Sequence, residues 1–170
     1  MPRQSLELVL RPEDAAAVEE QWRALAEAGL PSQAAHGSAT NAPHLTLVSA
    51  AMIPPQVLEL AAAEIAPLLP QPLRVHGLVW LGARRPVLAL LLHPPIELTT
   101  VVERLRDLAE DAGPRPWLPH LTLGRAVRWA DLGSAAEALP QPGGELTAGE
   151  LRHWDPQTAT VTQMLPDHAS

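Results

Sequence analysis

Five residues occur twice in this chain, as Pro43-His44-Leu45-Thr46-Leu47 and as Pro119-His120-Leu121-Thr122-Leu123, with the two histidines 76 residues apart. Alternate side chains of a strand share a face, so each copy reads as a short strand showing His and Thr on one side and two Leu on the other. Proline at the start of each copy sits where a missing backbone donor is tolerated. A single His-x-Thr is most simply an amphipathic edge strand. Two identical copies at matching places are the mark of a duplicated fold, and internal repeats constrain everything else.

The segments around the two copies repeat as well. Ser5 to Leu10 reads as a strand, and Pro12-Glu13-Asp14 opens a helix with proline in its first turn and acids at its positive end. Val18, Trp22 and Leu25 recur at helical spacing until Gly29. A small, polar loop over residues 31–43 leads to the first copy, His44 to Ser49. Pro54-Pro55 then starts a helix with the face Leu58, Ala61, Ile65 and Leu68, which Pro70 and Pro72 end. Strands are expected from Leu73 to Leu81 and, after a Gly82-Ala83-Arg84-Arg85 hairpin turn, from Val87 to Leu92, which is apolar on both faces and therefore central. The order begins again at Pro94-Pro95. A helix presents Leu98, Val101, Val102, Leu105, Leu108 and Ala112 on one face and stops at Gly113. A loop over residues 114–119 precedes the second copy, a weaker helix lies near Asp131 to Leu139, and strands follow from Glu145 to His153 and Thr158 to Met164. Leu10 precedes His44 by 34 residues, and Leu92 precedes His120 by 28. The expectation is one α+β domain over residues 1–170. It is a duplicated two-lobed fold, with two antiparallel sheets facing across a central cleft and helices outside. The lobes span approximately 1–82 and 86–165, with strands possible in exchange between them.

Composition narrows the chemistry. The chain has no Cys, which removes thiolate nucleophiles, disulfides and Cys-containing metal sites. All 12 basic residues are Arg, so a Lys nucleophile, a Schiff base and a P-loop Lys are excluded too. A formal charge of −7 argues against coating long duplex nucleic acid. The N-terminal residues lack a signal-peptide core and Val87 to Leu92 is too short to span a bilayer, so a cytoplasmic monomer with no membrane partner is expected.

Within those limits the paired motif has a specific use. Because an unperturbed histidine titrates near neutrality, two imidazoles can serve one as general base and the other as general acid. Two Thr hydroxyls, about 7 Å along the strands from their His, can donate to the non-bridging oxygens of a phosphate between them. Together they form a clamp for in-line displacement at phosphorus. Arg125 is a candidate bidentate phosphate partner and Trp117 a candidate base or ribose platform, although an exposed strand-end charge and lobe packing are their ordinary alternatives. Arg84-Arg85 read as a solvated turn pair, and His36 as a free loop histidine, with reach to a bound substrate as the lesser alternative. His76, His93 and His153 share no ligand spacing, so no metal site is expected. No G-x-S-x-G elbow occurs.

These residues resemble the two-histidine phosphoesterase superfamily, whose 2′-5′ RNA ligase-like and cyclic phosphodiesterase members carry paired His-x-Thr/Ser motifs on pseudo-symmetric lobes. The resemblance covers nearly the whole chain in element order. It implies that His44, Thr46, His120 and Thr122 are the catalytic set, that Arg125 matches the basic residue often following the second motif, and that no metal or cofactor is used. It implies a phosphoesterase opening a small or terminal phosphodiester, above all the 2′,3′-cyclic phosphate of a nucleotide or RNA end. In that reading His120 is the base and His44 the acid. An RNA 2′-5′ ligase and a non-catalytic nucleotide- or RNA-end-binding protein are the alternatives. The chain departs from the pattern in having no Phe or Tyr, which leaves any base stacking to Trp.

Overall fold

The structure, a computed structural model, describes residues 3–35, 37, 40–113 and 116–165. Among them are seven strands and four α-helices in the order β1 (Gln4–Leu10), α1 (Pro12–Glu27), β2 (His44–Ala50), α2 (Pro55–Glu64), β3 (Gln71–Leu81), β4 (Val87–His93), α3 (Ile96–Leu108), β5 (His120–Arg125), α4 (Leu132–Ala138), β6 (Glu145–Asp155) and β7 (Thr160–Met164). The α+β two-lobed architecture expected from the duplication is the one adopted. The seven strands form one antiparallel sheet, with β1, β2, β6 and β7 in one lobe and β3, β4 and β5 in the other. The lobes join at two seams, a β2–β5 contact at Leu45 and Leu121 and a β3–β6 ladder from Gln71 to Arg74. The strand order is β1-β2-β5-β4-β3-β6-β7, and a β1–β6 ladder closes the ring.

The apolar positions of both repeated strands point into one core. Leu45, Leu47, Leu121 and Leu123 are fully buried with Leu6 and Leu8 of β1 and Leu88 and Leu90 of β4. Val18, Trp22 and Leu25 of α1 and Leu98, Val102 and Leu105 of α3 cover this core. β4 lies between β3 and β5, as its apolar run predicts, and Leu88, Ala89 and Leu90, on both of its faces, are buried.

Two helices end earlier than the sequence predicts. α2 stops at Glu64 and gives way to a 3₁₀ turn over Ala66–Leu68. Pro67 is responsible: it lacks the N–H that would continue the helix and disfavours helical geometry in the residue before it. α3 stops at Leu108 rather than running to Gly113, with Ala109 extended. Leu108 is then 42% exposed instead of facing the core, while Ala109 and Ala112 are buried. The unwound turn lets Asp111 reach Arg3 of the other lobe. None of the helices among the described residues is long and apolar enough to cross a membrane.

Candidate active site

The two pentapeptides form equivalent structures down to single hydrogen bonds. The Pro43 carbonyl accepts from the Leu10 N–H of β1, and the Pro119 carbonyl from the Leu92 N–H of β4, so each proline begins a ladder through its acceptor. Each histidine is tied back to the residue two before it: His44 Nδ1 lies 2.7 Å from the Ala42 carbonyl oxygen, and His120 Nδ1 2.8 Å from that of Leu118. A carbonyl can only accept, so Nδ1 carries the proton in both rings and Nε2 is left for chemistry.

Each copy also contains a β-bulge at the same place. Against β1, Leu6 pairs with Val48 and Glu7 with Thr46, leaving Leu47 extra; against β4, Leu88 pairs with Gly124 and Ala89 with Thr122, leaving Leu123 extra. A bulge shifts the alternation by one residue. Ser49 and Arg125, five residues after their histidines, therefore return to the face that carries His and Thr. Strict alternation would have turned Arg125 away.

β2 and β5 run side by side with Leu45 opposite Leu121. Extending that register by one residue each way sets His44 across from Thr122 and Thr46 across from His120. The ladder itself goes no further. The Thr46 carbonyl accepts the Trp117 indole N–H at 3.1 Å, and the Thr122 carbonyl that of Trp22 at 3.2 Å, so these buried acceptors are satisfied by side chains. Trp117 is only 9% exposed and acts first as a brace for β2.

Two cavities open on this face. The larger, about 890 Å³, is lined by His120, Trp117, Leu118, Leu81 and the end of α3; the smaller, about 510 Å³, by His44, Glu7, Gln33, Asn41, Arg152 and Trp154. Both reach Arg3, Thr46, Ser49 and Arg125, which form their common boundary. Of the predicted set, His44, Thr46, His120, Arg125 and Trp117 line the cavities. Thr122 is half-buried on the same face and lines neither. His36 lies outside the described residues.

Beneath this symmetry the electrostatics differ. His44 Nε2 is 3.6 Å from Glu7 Oε1. Glu7 is buried, accepts a 2.6 Å bond from the Ser5 hydroxyl, and is paired with Arg152 at 2.8 Å. At the place that Glu7 holds against Thr46, the second copy has Ala89 against Thr122. His120 has no carboxylate partner among the described residues, and its imidazole is held below the usual histidine range. Burial is the main cause, opposed by the Leu118 hydrogen bond and reinforced by the charges of Arg125 and His44.

Sequence reasoning missed Glu7, Ser5, Arg152 and Arg3. The signal was there for two of them, since Ser5 and Glu7 alternate with the apolar Leu6 and Leu8 along β1. Arg3 binds Asp111 and the Ser49 hydroxyl and bridges the lobes at the cavity boundary. His76 and His93, which have no ligand spacing in sequence, do meet, with ring centroids 5.0 Å apart in an edge-to-face contact on the second lobe. Among the described residues no three His, Asp or Glu side chains converge to hold a metal ion.

The family model of the 2′-5′ RNA ligase superfamily matches residues 11–164. No curated protein matches the chain in sequence. Among solved structures, Usb1 of Kluyveromyces marxianus with uridine monophosphate aligns at a TM-score of 0.57 and 15% identity, covering 96% of this chain and 98% of that one. LigT of Escherichia coli in its apo form aligns at 0.56 and 22% identity, covering 95% and 93%. TT0787 of Thermus thermophilus aligns at 0.55 and 19% identity, covering 98% and 100%.

Proposed function

The chain belongs to the 2′-5′ RNA ligase superfamily, and from that premise we propose that it is a metal-independent phosphoesterase that opens the 2′,3′-cyclic phosphate of a nucleotide or RNA end. The observation that carries this reading is the pair of histidines with identical Nδ1 anchors, which leaves two Nε2 atoms on one face beside Thr46, Thr122 and Arg125.

In the proposed reaction His120 Nε2 takes a proton from water, whose oxygen attacks phosphorus. The bond from phosphorus to one ribose oxygen breaks in line, and His44 Nε2 gives its proton to that oxygen. The product is a phosphomonoester. Thr46, Thr122 and Arg125 hold the non-bridging oxygens as charge develops there. Burial favours the neutral ring that a base requires at His120, and a carboxylate within ion-pair reach suits the acid role of His44. Nucleotides in related folds agree with such a ligand: Usb1 was solved with uridine monophosphate and LigT with 3′-AMP.

One observation favours the ligase alternative. The cavity beside His120, at about 890 Å³, is large enough to hold a nucleoside whose hydroxyl would replace water as the nucleophile.

The test is turnover, in EDTA, of cyclic mononucleotides, cyclic-phosphate RNA ends, ADP-ribose cyclic phosphate and 2′-5′ oligonucleotides. Opening of a cyclic phosphate is expected. Reaction of 2′-5′ links alone would favour the ligase, and affinity without turnover the binding protein. Loss of activity in EDTA restored by Zn²⁺, Mn²⁺ or Mg²⁺ would overturn the metal-independent scheme.

A further inference from the structure

The corner where β5 leaves the sheet gathers positive charge beyond Arg125, the one guanidinium of the corner that the proposed chemistry uses. Arg84 and Arg85 sit exposed in the β3–β4 hairpin turn. Leu81 pairs with Val87 across that hairpin, and Val87 pairs with Arg125 on its other side, so the turn stands next to the end of β5. Ala126, in a left-handed conformation at φ 60°, turns the chain there, and the segment after it follows the hairpin. The Val127 N–H donates to the Pro86 carbonyl and the Trp129 indole N–H to that of Ala83, both at 3.0 Å. Trp129 stays 50% exposed.

The corner is rich in cations and poor in acids. Over residues 82–87 and 124–131 the chain has four Arg and a single acid, Asp131, which is taken by Arg128. Among the described residues Arg84, Arg85 and Arg125 make no ion pair. In a protein with a formal charge of −7, Arg84 and Arg85 leave unpaired positive charge beside an exposed indole and next to Arg125, a local field that attracts further anions. They are also continuous with the site, because Leu81 and Arg125 both line the larger cavity. Phosphates held by arginines and a base stacked on an aromatic face are how single strands are bound without sequence preference.

We propose that the β3–β4 hairpin and the segment after β5 form a track for single-stranded RNA that leads away from Arg125, at the common boundary of the two cavities, through Arg84, Arg85 and Trp129. The inference rests on the phosphoesterase reading for the RNA end itself. It makes the substrate a strand with a cyclic-phosphate terminus rather than a free mononucleotide.

The experiment measures binding apart from turnover. Fluorescence anisotropy gives the Kd of a labelled RNA 8-mer and dinucleotide with unreactive 3′-phosphates, over a range of salt, while kcat/KM is measured on a 2′,3′-cyclic mononucleotide. The wild type is expected to bind the 8-mer more tightly than the dinucleotide. The Arg84→Gln/Arg85→Gln double variant should weaken 8-mer binding about tenfold at low salt and flatten the salt slope by about 1.4, at about 0.7 for each phosphate no longer neutralised, with mononucleotide turnover unchanged. Trp129→Ala should weaken the 8-mer without changing the slope, and Trp129→Phe should restore most of the affinity. Equal affinity for the two lengths, an unchanged slope in the double variant, or equal binding of duplex RNA would overturn the track. A Trp129→Phe variant as weak as Trp129→Ala would limit the indole to bracing the hairpin and remove it from the track. Length-dependent binding without turnover of any cyclic phosphate would instead refute the phosphoesterase reading and leave the track standing.

Discussion

His44 Nε2 stands 3.6 Å from Glu7 Oε1, and no such carboxylate faces His120 among the described residues, where Ala89 holds the equivalent place. The two halves of a duplicated site have therefore been made chemically unequal by one residue on a neighbouring strand. Glu7→Gln should slow turnover of an ordinary cyclic phosphate more than that of an activated aryl phosphodiester, whose leaving oxygen needs less help from an acid. Equal losses on both substrates would make Glu7 structural only. The same variant leaves the Arg152 guanidinium buried without its partner, so urea denaturation should show a loss of about 3 kcal/mol.

His44→Ala and His120→Ala should each lower kcat by about 10²–10⁴-fold, the range for a removed general acid or base. The activated diester should rescue His44→Ala far more than His120→Ala. Rescue in the opposite order would exchange the two roles, and near-wild-type turnover by either folded variant would refute the paired mechanism.

The pH profile carries the sign of the His120 shift. A base must be neutral, and a histidine held below its ordinary value of 6.5 stays neutral to lower pH, so the acid limb of kcat/KM should fall below about pH 6.5. Arg125→Gln removes one of the charges that disfavour protonation and should move that limb upward while raising KM. A limb that does not move would show that Arg125 acts only as a phosphate ligand.

The two threonines should not contribute equally. Thr46 borders both cavities and Thr122 neither. Thr46→Val should lower kcat/KM by about 10–100-fold, as expected for a lost hydrogen bond to a charged group, and Thr122→Val by less. The reverse order would place the phosphate nearer β5 than the cavities imply.

Gly124 is packed against the loop after α1, and a Cβ there would run into the Pro31 carbonyl oxygen and crowd the Val127 side chain. Gly124→Ala should cost about 1–3 kcal/mol by overpacking. It should also lower affinity for phosphate-bearing ligands, because Arg125 is the next residue. A variant with unchanged melting temperature would mean that the loop yields without strain.

Much of this molecule was legible in one dimension because its information is local. Alternation alone sends Leu45, Leu47, Leu121 and Leu123 to the core and His44, Thr46, His120 and Thr122 to the other face, and in the structure they lie so. The all-apolar run of β4 implied its central place, and the proline and glycine positions marked most element ends. The misses at α2 and α3 came from reading apolar periodicity past Pro67 and past the unwound turn at Ala109.

What the sequence determined by itself was the duplication, the order of elements and the four polar residues of the motif, because periods of two and 3.6 are properties of the chain alone. Tertiary structure decided the rest of the site. Whether Leu47 and Leu123 bulge depends on registers with β1 and β4, strands that lie elsewhere in the chain, and those bulges alone bring Ser49 and Arg125 onto the face of the histidines. The difference between Glu7 and Ala89 has the same origin: a side chain's neighbours across a sheet are set by strand pairing, and pairing joins residues whose separation in sequence says nothing of their contact.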